Sequence, residues 1–142
     1  MREFQIVIHA RGEDASRAAE VEIDGEQYQT LRVDTASSEP FAITFEQAAA
    51  ALDELPRMFI EPDGSFVWVA SWEEASWQVD GVLYDRDDRL LLVDLKGSCL
   101  PEQFDRLLTA LGWPATPVMF QLVQHAVYVD EAEYRRFMQW NH

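Results

Sequence analysis

Three side chains near the middle of the chain are of types, and at spacings, that do chemistry. Asp80 precedes Gly81, and beyond a turn Asp94 and Lys96 flank Leu95. Residues two apart in a strand share a face, so Asp94 and Lys96 point the same way. Whether Asp80 joins them depends on the turn between. With a three-residue loop, Arg86 to Asp88, Tyr84 pairs with Leu90, Val82 with Leu92 and Asp80 with Asp94, matching apolar with apolar. A loop of two or four residues turns Asp80 to the opposite face. The three-residue loop predicts two directly opposed carboxylates, which repel unless a cation, Lys96 or a divalent metal, sits between them. Two carboxylates and an ammonium together are what metal-assisted phosphodiester hydrolysis uses: hard oxygen ligands for Mg²⁺ or Mn²⁺, and a point charge for the developing anion.

Other chemistry is sparse. No G-x-S-x-G, phosphate-cradling glycine loop, HExxH or EF-hand spacing occurs. His9, His125 and His142 stand apart from Cys, His or carboxylate partners at metal-ligand spacing, and read as strand-end or terminal side chains. Cys99 is the only cysteine, which excludes an internal disulfide or a thiolate zinc site and points to a reducing compartment.

Aromatic residues form a second constellation. Phe66, Trp68, Ala70 and Trp72 alternate along one strand face, a pattern expected to pack beneath a helix. The segment Trp72, Glu73, Glu74 to Trp77 places an acidic loop between two indoles, a candidate surface for a basic or aromatic partner.

The elements that position these residues are legible as periods and caps. Phe4 to His9 alternates as a strand; Asp24 and Gly25 supply a tight turn between Val21 to Ile23 and Tyr28 to Val33. Residues 35–40 form the one plausible linker, too short for a domain boundary. Thr44 and Gln47 have capping-box spacing for a helix over 44–55, stopped by Pro56. Met58 to Ile60 and Phe66 to Trp72 make a hairpin around Asp63 and Gly64. Trp77 to Tyr84 and Leu90 to Leu95 make another, apolar on both faces and therefore central. A helix over 101–111 opens at Pro101 and ends at Gly112. A strand from Pro117 to Val123 continues briefly at Val127 to Val129, and Asp130 with Glu133 caps a last helix. The pattern predicts one α+β domain spanning 1–142: a mostly antiparallel sheet of about seven strands, two to three helices, and the 44–55 and 101–111 helices on one face.

On these elements the Asp80, Asp94 and Lys96 constellation resembles the PD-(D/E)xK nuclease-like superfamily, whose core runs helix, three-stranded meander, helix, strand. The order from Thr44 to Val123 is similar, with one additional strand before Asp80 and with Val79 where the motif has proline. The resemblance implies that Asp80 and Asp94 hold Mg²⁺ or Mn²⁺ and that Lys96 assists the attacking water. Glu46, on the first helix, is the match to the family's frequent extra acid.

Charge weighs against a nucleic-acid substrate. Of 142 residues 26 are acidic and 11 basic, ten of them Arg, for a net charge of −15. Such a surface repels phosphate backbones and anionic lipid, so general nucleic-acid binding through a basic face, without a metal or a local patch, and membrane-surface binding are not expected. The N-terminus lacks the apolar core of a signal peptide and no run has membrane-spanning length, so a cytoplasmic protein, monomer or homodimer, is expected. Composition favours a non-catalytic interaction or regulatory domain that binds a basic partner. The metal-dependent phosphodiesterase is the alternative, and a small-ligand domain a second.

Overall fold

The computed structural model describes residues 1–34, 39–71, 73 and 76–140. The chain forms a single α+β domain in which every strand pairing is antiparallel. The strands are β1 (Phe4–Ala10), β2 (Ser16–Ile23), β3 (Glu26–Arg32), β4 (Met58–Ile60), β5 (Ser65–Val69), β6 (Gln78–Arg86), β7 (Arg89–Ser98), β8 (Val118–Leu122) and β9 (Val127–Asp130). The helices are α1 (Phe45–Asp53), α2 (Pro101–Ala110) and α3 (Glu131–Phe137). The sheet order is β2-β3-β9-β8-β1-β7-β6-β5-β4, so β1, the first strand made, is zipped between β7 and β8. The sheet has nine strands against the expected seven or so, and one of the additions is the brief segment after β8, which is a strand in its own right. A 3₁₀ turn over Val123–His125 and Ala126 in the left-handed region, φ 56°, fold β9 back onto β8.

Local signals explain the element ends. Thr44 accepts from the Gln47 amide at 3.0 Å while Gln47 accepts from the Thr44 amide at 2.9 Å, closing the capping box of α1. Pro101 opens α2, where its missing N–H costs nothing. Asp130 accepts from the Glu133 amide at 2.8 Å and caps α3. The β2–β3 turn uses Asp24 and Gly25, φ 52° and 83°, as the sequence predicts.

All three helices cover the same face of the sheet. Ala48 and Leu52 of α1 join Phe66, Leu83 and Val93 in the core; Phe104 of α2 and Tyr134 of α3 meet around Phe120. Along β1 the residues Phe4, Ile6, Ile8 and Ala10 point into this layer, as do Val79 and Leu83 of β6 and Val93 and Leu95 of β7. Trp68 and Trp77 lie in the core edge to face, ring centres 4.9 Å apart. Among the described residues no helix lies on the other face, and none is long and apolar enough to cross a membrane.

Candidate site on the helix-free sheet face

The face turned away from the helices is set by strand parity, and paired residues arrange it in three rows. Phe59, Val67, Asp80, Lys96 and Gln5 lie side by side on β4, β5, β6, β7 and β1. The next row runs Ser65, Val82, Asp94, Val7, Gln121, Tyr128 and Leu31. The third is Tyr84, Leu92, His9 and Met119. Asp80, Asp94 and Lys96 therefore do share a face, in a shallow concavity of about 470 Å³ that Gln5, Val7, Val82, Gln121 and Val123 also line.

The register that brings them together is not the expected one. Asp80 stands opposite Lys96, and Asp94 opposite Val82. Arg86 pairs with Arg89 across a two-residue turn, Asp87 and Asp88, both with positive φ (52° and 69°) as a hairpin turn of the mirror-image type requires. By parity that turn should have sent Asp80 to the opposite face. A bulge undoes it: Asp85 pairs with Leu90 but Tyr84 with Leu92, so Leu91 is the extra residue that restores the face. The directly opposed carboxylates are thereby replaced by an Asp80–Lys96 pair. Diagonal neighbours across an antiparallel ladder stand about 7–8 Å apart, and Asp80 and Asp94 are related in that way.

Two glycines lock this register. A Cβ on Gly81 would fall 2.2 Å from the Phe66 ring, which lies across the bare backbone on the core side. A Cβ on Gly97 would fall 2.1 Å from the Gln78 carbonyl oxygen, and its φ of 141° is one that side chains rarely adopt.

Each carboxylate already has protein partners. Gln78 Nε2 donates to Asp80 Oδ1 at 3.1 Å. Asp94 is half-buried between Tyr84 and His9. Its charge, and the hydrogen bond the phenol donates to it, raise Tyr84 above the ordinary tyrosine value. His9 is pulled below the ordinary histidine value chiefly by burial, opposed by its contact with Gln121 Oε1 at 3.3 Å and by the Asp94 charge. Among the described residues the Lys96 ammonium has no ion-pair partner, and it is exposed.

Asp80 and Asp94 supply two carboxylates to this concavity. Among the described residues no three His, Cys, Asp or Glu groups stand close enough to hold one ion. Glu46, the expected extra ligand, is exposed on α1, and α1 packs on the opposite face of the sheet from Asp80 and Asp94. The sequence places an acid on the helix but does not reveal which face that helix covers.

The candidate partner-binding loop divides differently. Trp77 is only 4% exposed and packs on Trp68, so it offers no indole to a partner. Glu73 is exposed; Trp72 and Glu74 lie outside the described residues, as do His142 and most of the expected linker. Cys99 is buried, and its thiol is pushed up to about 12, chiefly by burial, with the Asp105 charge adding.

Sequence reasoning missed Phe59, His9 and Gln121 as members of this face. The signal was parity: Asp80, Val82 and Tyr84 on one strand, and Leu92, Asp94 and Lys96 on the next, alternate with core residues. Reading both strands as apolar on both sides hid it.

A larger concavity, about 850 Å³, lies elsewhere, between Arg11, Pro117, Val118, Glu131, Arg135 and Trp140. Its charges satisfy one another: Arg135 holds Asp105 at 2.6 Å and Glu131 at 3.0 Å, and Trp113 Nε1 donates to Glu131 at 2.8 Å. No protein-family model, curated protein or solved structure matches this chain.

Proposed function

We propose that this protein is a non-catalytic interaction or regulatory domain that binds a basic partner. The observation that carries this reading is an acidic surface left uncompensated by its own arginines. Arg2, Arg11, Arg135 and Arg136 are taken up by ion pairs with Asp24, Asp130, Asp105, Glu131, Glu133 and Glu26. Arg57 and Arg89 donate to the Val69 and Phe41 carbonyls. Exposed Glu20, Glu22, Asp53, Glu54, Glu61, Asp85, Asp87 and Asp88 remain as sources of field. A field of one sign steers an oppositely charged partner and sets its on-rate, while exposed single pairs add little affinity each. The test is an anisotropy titration of a labelled lysine-rich peptide over a salt series. Binding should weaken steadily as salt rises, because the Debye length shrinks from about 10 Å at 0.1 M to about 3 Å at 1 M. No binding even at low salt would contradict the reading.

A metal-dependent phosphodiesterase is the second reading. The shared face of Asp80, Asp94 and Lys96 in one concavity favours it; the ligand count does not. A metal held only by the folded state must raise its melting temperature. A Mg²⁺ or Mn²⁺ titration is expected to leave the Tm of wild type and of Asp94→Ala equally unmoved. A rise in wild type that Asp94→Ala abolishes would put the enzyme in place of the interaction domain.

A further inference from the structure

Resting on that reading of a basic partner, we infer that the helix-free sheet face is the docking surface, and that its occupant is a cationic amphipathic segment of another protein. Three of the five large hydrophobic side chains most exposed among the described residues lie on this one face or at its margin: Phe59 at 64%, Tyr84 at 45% and Val123 at 38%. Around them Val67, Val82 and Leu92 are half-buried with no element above them. Exposed apolar side chains gathered on one face mark an interaction site more often than the same residues scattered singly.

The charges say what kind of segment fits. Asp80 and Asp94 sit among these apolar groups, and Lys96 stands directly across the ladder from Asp80. A guanidinium or ammonium carried by a partner is drawn to the two carboxylates and turned away from Lys96, which fixes where the cation sits. A second copy of this chain is the wrong occupant, since each copy brings a net charge of −15. An anionic lipid surface and a phosphate backbone are excluded for the same reason. The face is not a sheet edge, so its backbone groups are already paired and recognition is by side chains. Strand spacing of about 4.8 Å makes the patch about 30 Å long across the strands. Three rows two residues apart make it about 13 Å wide at about 3.3 Å per residue. That is the footprint of one helix of about 20 residues, which is about 30 Å long and 10–12 Å thick.

The experiment uses two labelled probes in anisotropy titrations: a 20-residue amphipathic peptide with Arg on one face and Leu and Trp on the other, and the unpatterned lysine-rich peptide. Wild type is compared with Asp80→Asn/Asp94→Asn, with Phe59→Ala, and with Glu46→Gln/Glu102→Gln, which removes the same charge from exposed positions on α1 and α2, on the opposite face. Asn keeps the shape of Asp, and far-UV circular dichroism checks that each variant is folded. The amphipathic peptide should bind wild type more tightly than the lysine-rich one. It should lose tenfold or more with the double Asp variant, several-fold with Phe59→Ala, and no more than twofold with the helix variant. Equal losses for the two charge-removing variants, or no loss with Phe59→Ala, would overturn the docking surface while leaving a salt-sensitive basic partner in place. Failure of both probes to bind wild type would overturn the basic-partner reading itself.

Discussion

His9 carries the residue-scale signature of the helix-free face. Its ring packs edge to face on Tyr128, ring centres 5.4 Å apart, and touches Gln121, and burial disfavours its charged form. Because its folded value lies below the unfolded 6.5, the unfolded chain takes up the proton first as pH falls. Stability tied to neutral His9 is therefore complete above about pH 6.5 and declines as pH drops below it, until the lowered folded value is reached. Urea unfolding at pH 7.5 and 5.5 should show a larger loss for wild type than for His9→Gln, which keeps a polar group near Gln121 without a titrating ring. An equal loss in both would mean that His9 titrates alike in the folded and unfolded chains. None of this was legible from the sequence, where His9 is an isolated strand-end residue. Burial depends on which of β1's two neighbours cover it, and those neighbours, β7 and β8, come from far along the chain.

At the scale of elements, the β6–β7 hairpin decides whether a site exists at all. Charge and apolar matching give the right face for Asp80 but the wrong partner, because a two-residue turn and a one-residue bulge together imitate the parity of a three-residue loop. A bulge leaves no mark in composition, so only the pairing reveals it. The capped helices were legible for the opposite reason: Thr44, Pro101 and Asp130 act within a few residues of themselves. The β6 backbone at the site depends on Gly81, whose missing side chain accommodates the buried Phe66 ring. Gly81→Ala forces that ring out of a packed core and should lower the unfolding free energy by about 1–3 kcal/mol, read from urea denaturation. A change below a few tenths of a kcal/mol would show that Phe66 moves freely and that Gly81 does not hold the strand.

At the scale of the whole molecule, the helices cover one side of the sheet and, among the described residues, none covers the other, which leaves a helix-free face for the proposed docking role. The net charge of −15, readable from composition alone, sets the sign of the surface field, which under the proposed reading selects a basic partner. The composition of the helix-free face depends on β1 lying between β7 and β8, since that pairing sets Gln5, Val7 and His9 beside Lys96, Asp94 and Leu92. The acidic Trp72 to Trp77 loop looked the better candidate in sequence because adjacency is visible there and sheet parity is not. With Trp77 turned into the core, the loop keeps its charge but loses that indole.

The most direct measurement is a two-dimensional ¹⁵N–¹H NMR titration of the folded protein with an arginine-bearing amphipathic peptide at low and high salt. Amides of Gln5, Val7, Asp80, Val82, Asp94, Lys96 and Gln121 should shift together at low salt and return toward their free positions as salt rises, with α1 and α2 little changed. Shifts confined to the exposed acidic loops, or none at either salt, would contradict a docking role for the helix-free face.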